Sequence, residues 1–324
     1  MTKSIKKDHL QTVLKQFSPI SLDQLNSTMS LMERIDKKYI LTMPQLDEMM
    51  DKLKDDYYVL TIKDISLFNY DNVYMDTEDY LLYYQHEYKD ATRMKVRTRH
   101  YVDSSLGFLE VKHKEGDVTR KFRYQIPVHE TQTITPDAQE YYARIGESFN
   151  SGFIRKELSP AIATRYQRIT LCSKKNDERI TIDLDISVRD MRDEKAKRHH
   201  LPSFAIVESK SNNTSCASHT TIKAMGVVEA KGCSKYCLGV YYVGKAKTHD
   251  SFIETIKVIE SFRPRKLTKV VKKVKATLRQ LKKQTSTITK ELAIKTPTKK
   301  VVAKKAIVKK VTVKKTGAKK KAKV

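Results

Sequence analysis

Basic side chains occupy every second position of one short segment of the sequence. Arg93, Lys95, Arg97 and Arg99 alternate with uncharged residues. Successive side chains of a β-strand point to opposite faces, so a strand here would carry four cations on one face. Like charges placed side by side destabilise a sheet, and no carboxylate lies between these four. The pattern therefore predicts a surface that binds an anion, because a bound anion would compensate the repulsion.

Single carboxylates accompany cations on other predicted strands. Glu110 lies two residues before Lys112, and Glu208 lies two residues before Lys210, so acid and base share a face in each strand. Carboxylates are ligands for hard divalent metal ions, and Lys and Arg bind phosphate oxygens. These strands predict a surface for a multiply charged phosphate chain together with a metal ion.

A solvated face is the alternative for any single strand of this kind, because antiparallel strands often have one wet face. A solvated face normally mixes charges of both signs, whereas these cations recur over several strands. Residues 239–245 match the first seven positions of a phosphate-binding G-x-x-x-x-G-K loop, but Ala246 stands in place of the hydroxyl residue that binds magnesium. We interpret that match as chance and predict a strand there.

Charge divides the sequence of 324 residues into two parts. Residues 263–324 contain 24 Lys or Arg and one acid, Glu291, which gives a formal charge of +23, whereas residues 1–262 carry only +3. Lys-Lys pairs recur every five residues between 299 and 320, and this period matches neither helix nor strand. We predict a folded domain over 1–262 and a disordered Lys-rich tail over 263–324. The tail either binds polyphosphate or nucleic acid or is a low-complexity extension that only improves solubility.

Four cysteines, Cys172, Cys216, Cys233 and Cys237, include no C-x-x-C pair, which predicts free thiols in a reducing compartment. The sequence shows neither the apolar run of a signal peptide nor the ~20 apolar residues of a membrane span. We therefore expect a cytoplasmic protein.

The periodicity of apolar residues predicts the elements that would position these side chains. Helices are predicted over 5–17, 44–53, 136–145, 217–228 and 252–262, and strands over 34–41, 57–62, 67–75, 93–102, 106–114, 118–127, 161–172, 178–188, 203–210 and 234–243. Many strands at short spacing with polar inward faces indicate a barrel, because closure removes exposed edges. We predict an α+β fold in which flanking helices surround a closed antiparallel β-barrel.

An ordered set of short motifs runs through residues 30–243. The motifs are Arg34-x-Asp36-x-Lys38-Tyr39, Tyr74-Met-Asp76-Thr, Arg97-x-Arg99, Glu110-x-Lys112, Tyr166-x-Arg168, Arg179-x-Thr-x-Asp183, Glu208-x-Lys210 and Ser234-Lys235-Tyr236-x-x-Gly239. In this order they resemble the polyphosphate polymerase domain of the vacuolar transporter chaperone type, a member of the triphosphate tunnel metalloenzymes. The resemblance implies a closed barrel whose basic tunnel binds a triphosphate and a divalent metal ion, usually manganese.

Matching the motifs residue by residue implies roles for eight side chains. Glu208 would hold Mn²⁺ or Mg²⁺, and ATP would be the substrate. The implied phosphate ligands are Lys38, Arg97, Arg99, Lys112, Arg168, Arg179 and Lys235. Phosphoryl transfer requires mainly charge neutralisation and in-line alignment, which such a set supplies.

Two positions depart from the family's pattern. Arg34 stands where the superfamily often has the first of two alternating glutamates, so only Asp36 is acidic there, and this favours the polymerase branch over the triphosphatase branch. Gly232 stands where the polymerases often have another lysine, and Lys231 lies one residue away. Lys235 is therefore the assigned ligand, and the role of Lys231 is left open.

The implied reaction is transfer of the γ-phosphoryl group of ATP to the end of a polyphosphate chain that threads the tunnel. Two alternatives use the same residues. One is a tripolyphosphatase or RNA 5′-triphosphatase, with water as the acceptor, and the other is a polyanion-binding protein without activity. The products of manganese-dependent ATP turnover distinguish these functions. A polymerase would form long polymer, a triphosphatase would release only phosphate, and a binding protein would form no product.

Overall fold

The computed structural model describes residues 2–28, 35–147, 157–212 and 216–263, together with Gln280. Residues 1–263 form one compact unit of the chain. The predicted disordered tail, apart from Arg263 and Gln280, lies outside the described residues, and so does Arg34 at the start of the first predicted strand. No helix in the described part of the chain is long and apolar enough to cross a membrane.

Helices and strands alternate irregularly along this unit. The helices are α1 (Thr2–Leu14), α2 (Leu22–Thr28), α3 (Met43–Leu53), α4 (Leu81–Glu87), α5 (Pro136–Glu147), α6 (Ala217–Ala224), α7 (Lys235–Tyr242) and α8 (Ile253–Ser261). The strands are β1 (Ser18–Ile20), β2 (Ile35–Leu41), β3 (Tyr57–Leu60), β4 (Phe68–Asp76), β5 (Thr92–Tyr101), β6 (Leu106–Glu115), β7 (Val118–Ile126), β8 (Ser159–Ser173), β9 (Glu178–Asp190), β10 (His199–His200) and β11 (Ala205–Ser211). The α+β class is confirmed, and most predicted elements are present with bounds shifted by a few residues.

The strands form one sheet that curls into a half-barrel. Its order is β2-β11-β9-β8-β4-β5-β6-β7, with β3 added to β8, β1 to β3 and β10 to β9. Every pair is antiparallel except β1 with β3. Laid flat, eight strands about 4.8 Å apart would hold the two edges roughly 33 Å from each other. Lys38 of edge strand β2 and Arg123 of edge strand β7 nevertheless line one cavity, so the sheet must curl.

The predicted closure of the barrel is wrong. Among the described residues, β2 pairs with β11 on one side and forms only an isolated bridge to Glu229 on the other. Strand β7 pairs only with β6 there, so the curled sheet stays open. Both edges are basic, with Lys37 and Lys38 on β2 and Lys121 and Arg123 on β7. Pairing the edges would bring these cations to within one strand spacing, and like charges opposite each other destabilise a sheet.

The outer face of the sheet is apolar and is covered by helices. Helices α1, α3 and α6 contribute to one core with Ile180, Ile182 and Val207 of the sheet, and α5 contributes to a second core under β4, β5 and β6. Helix α3 begins with a capping box between Thr42 and Gln45, followed by buried residues at helical spacing. Because side chains alternate along each strand, burying one set on the outer face leaves the charged set on the inner face.

The predicted strand over 234–243 is wrong, because this segment forms helix α7 on the inner face of the sheet. The Ser234 hydroxyl accepts a hydrogen bond from the Cys237 amide at 3.4 Å and caps the helix. Gly239 packs so closely on the sheet that an added Cβ would lie 2.5 Å from Cγ2 of Ile162. Tertiary packing therefore overrides the strand preference of the Val-Tyr-Tyr-Val run.

Candidate active site

The inner face of the sheet and the start of α7 line a cavity of about 430 Å³. Its lining includes two acidic side chains, Glu110 and Glu208, and ten basic ones. The basic residues are Lys38, Lys95, Arg97, Arg99, Lys112, Lys121, Arg123, Arg168, Lys210 and Lys235. They come from six strands and one helix, so distant parts of the sequence converge on one strongly positive pocket.

Glu110 lies among three arginines on the inner face. The register places it directly opposite Arg97, whose Nε and Nη2 donate to Glu110 Oε2 at 2.8 and 2.7 Å. Arg99 Nε lies 3.6 Å from Oε2, and Arg123 Nε lies 3.7 Å from Oε1. Burial alone would raise the pKa of Glu110, but Arg97 and Arg99 lower it to about 2. Glu110 is therefore ionised throughout the physiological range and orients the arginines.

Asp183 holds two further cations at the cavity wall. Its buried carboxylate accepts from Nε and Nη2 of Arg168 at 2.6 and 2.8 Å and also binds the ammonium group of Lys235. Burial alone would raise the pKa of Asp183, but Arg168 and Lys235 keep it below its ordinary value. The Arg168 guanidinium also lies 5.2 Å from the ring centre of Tyr70 and 5.4 Å from that of Tyr166. This arrangement leaves little freedom to the donors that face the cavity.

Glu208 is bound by two lysines at one of its two carboxylate oxygens. Nζ of Lys38 and Nζ of Lys210 lie 2.8 and 3.2 Å from the same oxygen, Oε1, which leaves Oε2 for another ligand. Burial would raise the pKa of Glu208, but the two lysines hold it well below its ordinary value. A hard cation fits here only when it also binds substrate phosphates, because one carboxylate beside two ammonium groups is a weak cation site.

Lys95 and Lys112 line both this cavity and a neighbouring one, and no carboxylate among the described residues lies at hydrogen-bond distance from their ammonium groups. Nζ of Lys95 donates to the Ser234 hydroxyl at 3.0 Å, and burial lowers the pKa of this lysine. Burial, together with Lys95 and Lys38, lowers the pKa of Lys112 to about 8. Burial and neighbouring cations therefore disfavour the charged forms of these two ammonium groups, and a bound polyanion would favour them.

A second basic cavity of about 470 Å³ adjoins the first. The two share Lys38, Lys95 and Lys112, and the second extends to Arg93 and Lys231. The shared lysines make the two basic cavities neighbours.

The structure gathers most of the residues predicted for phosphate binding. Six of the seven line the first cavity, namely Lys38, Arg97, Arg99, Lys112, Arg168 and Lys235, and Glu208 lies among them. Arg179 does not line either cavity, although it shares a face of β9 with Asp183, four residues further along. Lys231 lines the second cavity.

The residue-by-residue match did not assign several other lining residues as individual ligands. Lys95 and Lys210 were detectable, because each lies two residues from an assigned residue on the same strand face. Lys121 and Arg123 are also two residues apart, so they share a face of β7 and could be recognised from the sequence in the same way. The roles of Glu110 and Asp183 as anchors had no local signal, because each depends on partners from other strands.

A comparison with protein-family models matches residues 33–243 to the VTC domain. No curated protein matches the chain. Solved structures with some likeness include a putative adenylate cyclase from Vibrio parahaemolyticus (12% identity, 59% of this chain and 83% of that chain, TM-score 0.32). A conserved hypothetical protein from Pyrococcus furiosus is 11% identical, with 60% of this chain and 86% of that chain covered and a TM-score of 0.30. The S. pombe Pct1 RNA triphosphatase is 9% identical, with 82% of this chain and 95% of that chain covered and a TM-score of 0.24. At these TM-scores the likeness assigns no activity to this chain.

Proposed function

The chain belongs to the VTC domain family, and on that premise we propose that it is a polyphosphate polymerase. It transfers the γ-phosphoryl group of ATP to the terminal phosphate of a growing polyphosphate chain. The bond between the γ-phosphorus and the β–γ bridging oxygen breaks, a bond to the terminal oxygen of the chain forms, and ADP leaves.

The observation that carries this proposal is that both carboxylates of the cavity lining are ion-paired, Glu110 with Arg97 at 2.7 Å and Glu208 with Lys38 at 2.8 Å. Arginines hold the pKa of Glu110 at about 2, and lysines hold that of Glu208 well below its ordinary value. A carboxylate that assists hydrolysis as a general base must be free to accept a proton from the attacking water, and these two ion-paired carboxylates are poor candidates for that role. The terminal phosphate of a polyphosphate chain is already largely ionised at neutral pH, because its last pKa lies near 6 as in other phosphates. Chain elongation therefore needs no base, and the lining supports it better than hydrolysis.

The cations have two tasks in this reaction. Arg97, Arg99 and Arg168 are planar, oriented donors suited to the oxygens of a triphosphate, and they stabilise the charge on the transferring group. Lys95 and Lys112 lie where the two cavities meet, so they can neutralise the incoming end of the chain. When phosphate binds, the pKa of Lys112 rises, which removes it as a base for water. The product chain would extend into the second cavity.

Glu208 would hold the divalent metal ion, Mn²⁺ or Mg²⁺, through Oε2. Such an ion, when bound with the nucleotide, neutralises charge on the phosphate oxygens. Lys38 and Lys210 position the carboxylate through Oε1. ATP and the metal are proposed to enter together, since the cationic lining disfavours binding of a cation alone.

Purified full-length protein with ATP and Mn²⁺, its products resolved by size, tests the proposal. We expect a ladder of long polymer, which Arg168→Ala abolishes. The control is Arg120→Ala, a basic residue of β7 that does not line either cavity, and it should leave the ladder unchanged. Release of phosphate alone would instead support the triphosphatase, and binding without turnover would support a non-enzymatic polyanion-binding protein.

We propose further that residues 264–324 bind polyphosphate, the product, and that the protein works in the ATP-containing, reducing cytoplasm. This segment is densely basic by sequence, and dense lysine binds polyanions through counterion release. Truncation after Pro264 should preserve turnover but weaken binding to long polyphosphate and reduce its salt dependence. Gel shifts with polyphosphate and with duplex DNA over a salt series measure this. Equal affinity of both proteins for both polymers would remove the proposed role, and a loss confined to DNA would reassign it to nucleic acid.

A further inference from the structure

A buried group of three possible metal ligands lies outside the basic cavities. Glu178 begins β9, Cys216 precedes α6, and His219 lies in the first turn of α6. One ligand atom from each lies within 4.8 Å of the other two. Glu178 and Cys216 are fully buried, and His219 is 6% exposed. None of the three lines either basic cavity.

The three side chains are a ligand set for a borderline transition metal. A thiolate, an imidazole and a carboxylate are the groups that bind Zn²⁺ in proteins, at about 2.0–2.3 Å from the ion. Cys216 and His219 are three residues apart at a helix start, so both face the same side of α6. Hard ions such as Mg²⁺ prefer oxygen ligands and disfavour a thiolate, so the set selects against the metal expected in the basic cavity.

The hydrogen bonds of Glu178 leave room for one more ligand. Its Oε1 accepts from the hydroxyl groups of Ser209, at 2.7 Å, and Ser218, and its Oε2 accepts from the hydroxyl group of Tyr57. A carboxylate offers about four acceptor positions, so one remains on Oε2. All three donors are neutral hydroxyls, and burying a carboxylate with neutral donors alone is unfavourable.

We propose that Glu178, Cys216 and His219 bind one divalent transition-metal ion of the zinc class. Binding releases the proton of the Cys216 thiol to solvent, and the two charges of the ion balance the thiolate and the carboxylate. The site is buried and closed to substrate, so its task is structural.

The position of the site indicates what the ion stabilises. Ser211, the last residue of β11, lies opposite Glu178 in the sheet, and its hydroxyl is 2.9 Å from Cys216 Sγ. An ion here would connect the start of β9 with α6, next to the end of the strand that carries Glu208. It would hold α6 on the outer face while leaving the basic cavity free.

Metal analysis of the full-length protein, followed by replacement with Co²⁺, tests the proposal. We expect one zinc-class ion per chain, retained through dialysis, and a thiolate-to-cobalt charge-transfer band after replacement. Cys216→Ser should lose the band and the tightly held ion. The matched control Cys172→Ser, another buried cysteine, should keep both, and Glu208→Gln should keep both because it changes only the basic cavity.

The wild-type spectrum keeps the proposal falsifiable even where Cys216→Ser folds poorly. Absence of a stoichiometric ion and of the cobalt band in wild-type protein would overturn it, and the three residues would then form a hydrogen-bonded cluster only. A band that persists in Cys216→Ser would overturn it as well. Metal content and the cobalt band do not depend on turnover of ATP. They therefore test the metal site whatever the outcome of the polymerase assay.

Discussion

Replacing Glu110 with glutamine should destabilise the empty protein and strengthen its binding to polyanions. The substitution keeps the size of the side chain but removes the negative charge shared by Arg97, Arg99 and Arg123. Three guanidinium groups would then face one another across a partly buried surface. A bound phosphate chain would supply the missing charge, and it would no longer compete with Glu110 for the arginines.

The pKa of Glu110 sets the size of this effect. Lowering it from 4.5 to about 2 corresponds to about 3 kcal/mol of stability at neutral pH. The side chain is only 19% exposed, so solvent screening reduces this value modestly. For a folded unit of 263 residues, about 2 °C per kcal/mol gives a loss of roughly 6 °C in Tm.

The effect should depend on pH with a definite sign. Because the folded-state pKa is lowered, the stabilisation by Glu110 is fully present above pH 4.5 and is lost as pH falls towards 2. The Tm difference between wild type and Glu110→Gln should therefore shrink below pH 4.5. Glu115→Gln on the same strand is the control. Glu115 forms an exposed ion pair with Arg120 at 3.6 Å, and such a pair contributes at most about 1 kcal/mol to stability.

Thermal unfolding with and without inorganic tripolyphosphate measures both parts of the prediction. At equal ligand concentration, the rise in Tm should be larger for Glu110→Gln than for wild type. An unchanged Tm in the empty variant, or a smaller rise with tripolyphosphate, would refute the view that Glu110 is the counter-charge of the arginines.

Three further predictions concern individual residues of the site. Glu208→Gln should abolish Mn²⁺-dependent turnover while tripolyphosphate binding without metal persists in calorimetry; near-normal turnover would contradict the metal assignment. Tripolyphosphate binding at pH 8 should be accompanied by proton uptake, because a bound phosphate raises the pKa of Lys112 from about 8. Calorimetry in buffers of different ionisation enthalpy measures this uptake, which should be smaller in Lys112→Met. Equal uptake in that variant would show that another group titrates. Arg179→Ala should leave turnover within about threefold of wild type. A loss of about 100-fold, the usual cost of removing a catalytic donor, would instead show that Arg179 acts in the reaction.

Most of the cavity lining was predictable because strand geometry is local. A backbone of period two puts Arg97 and Arg99 on one face, whatever the rest of the chain does. Helix α3 was predictable for the same reason, since its cap and its apolar spacing lie within a dozen residues. The charge contrast between body and tail depends only on composition.

Contacts between distant segments were not predictable in this way. The ring of arginines around Glu110 depends on the register of β5, β6 and β7, and the anchoring of Lys235 by Asp183 joins residues 52 positions apart. The buried cluster of Glu178 with Cys216 and His219 likewise joins β9 to α6. No local pattern specifies such pairs, because the neighbouring sequence of each residue does not indicate its distant partner.

Local alternation along the strands specifies which side chains share a face, and hence that the inner surface is basic. Long-range packing specifies that Lys235–Tyr242 is a helix inside the sheet and that the barrel stays open. Both outcomes follow from non-local terms. Close packing of Gly239 on Ile162 outweighs a strand preference of at most about 1 kcal/mol, and the cations on both edges oppose closure of the barrel.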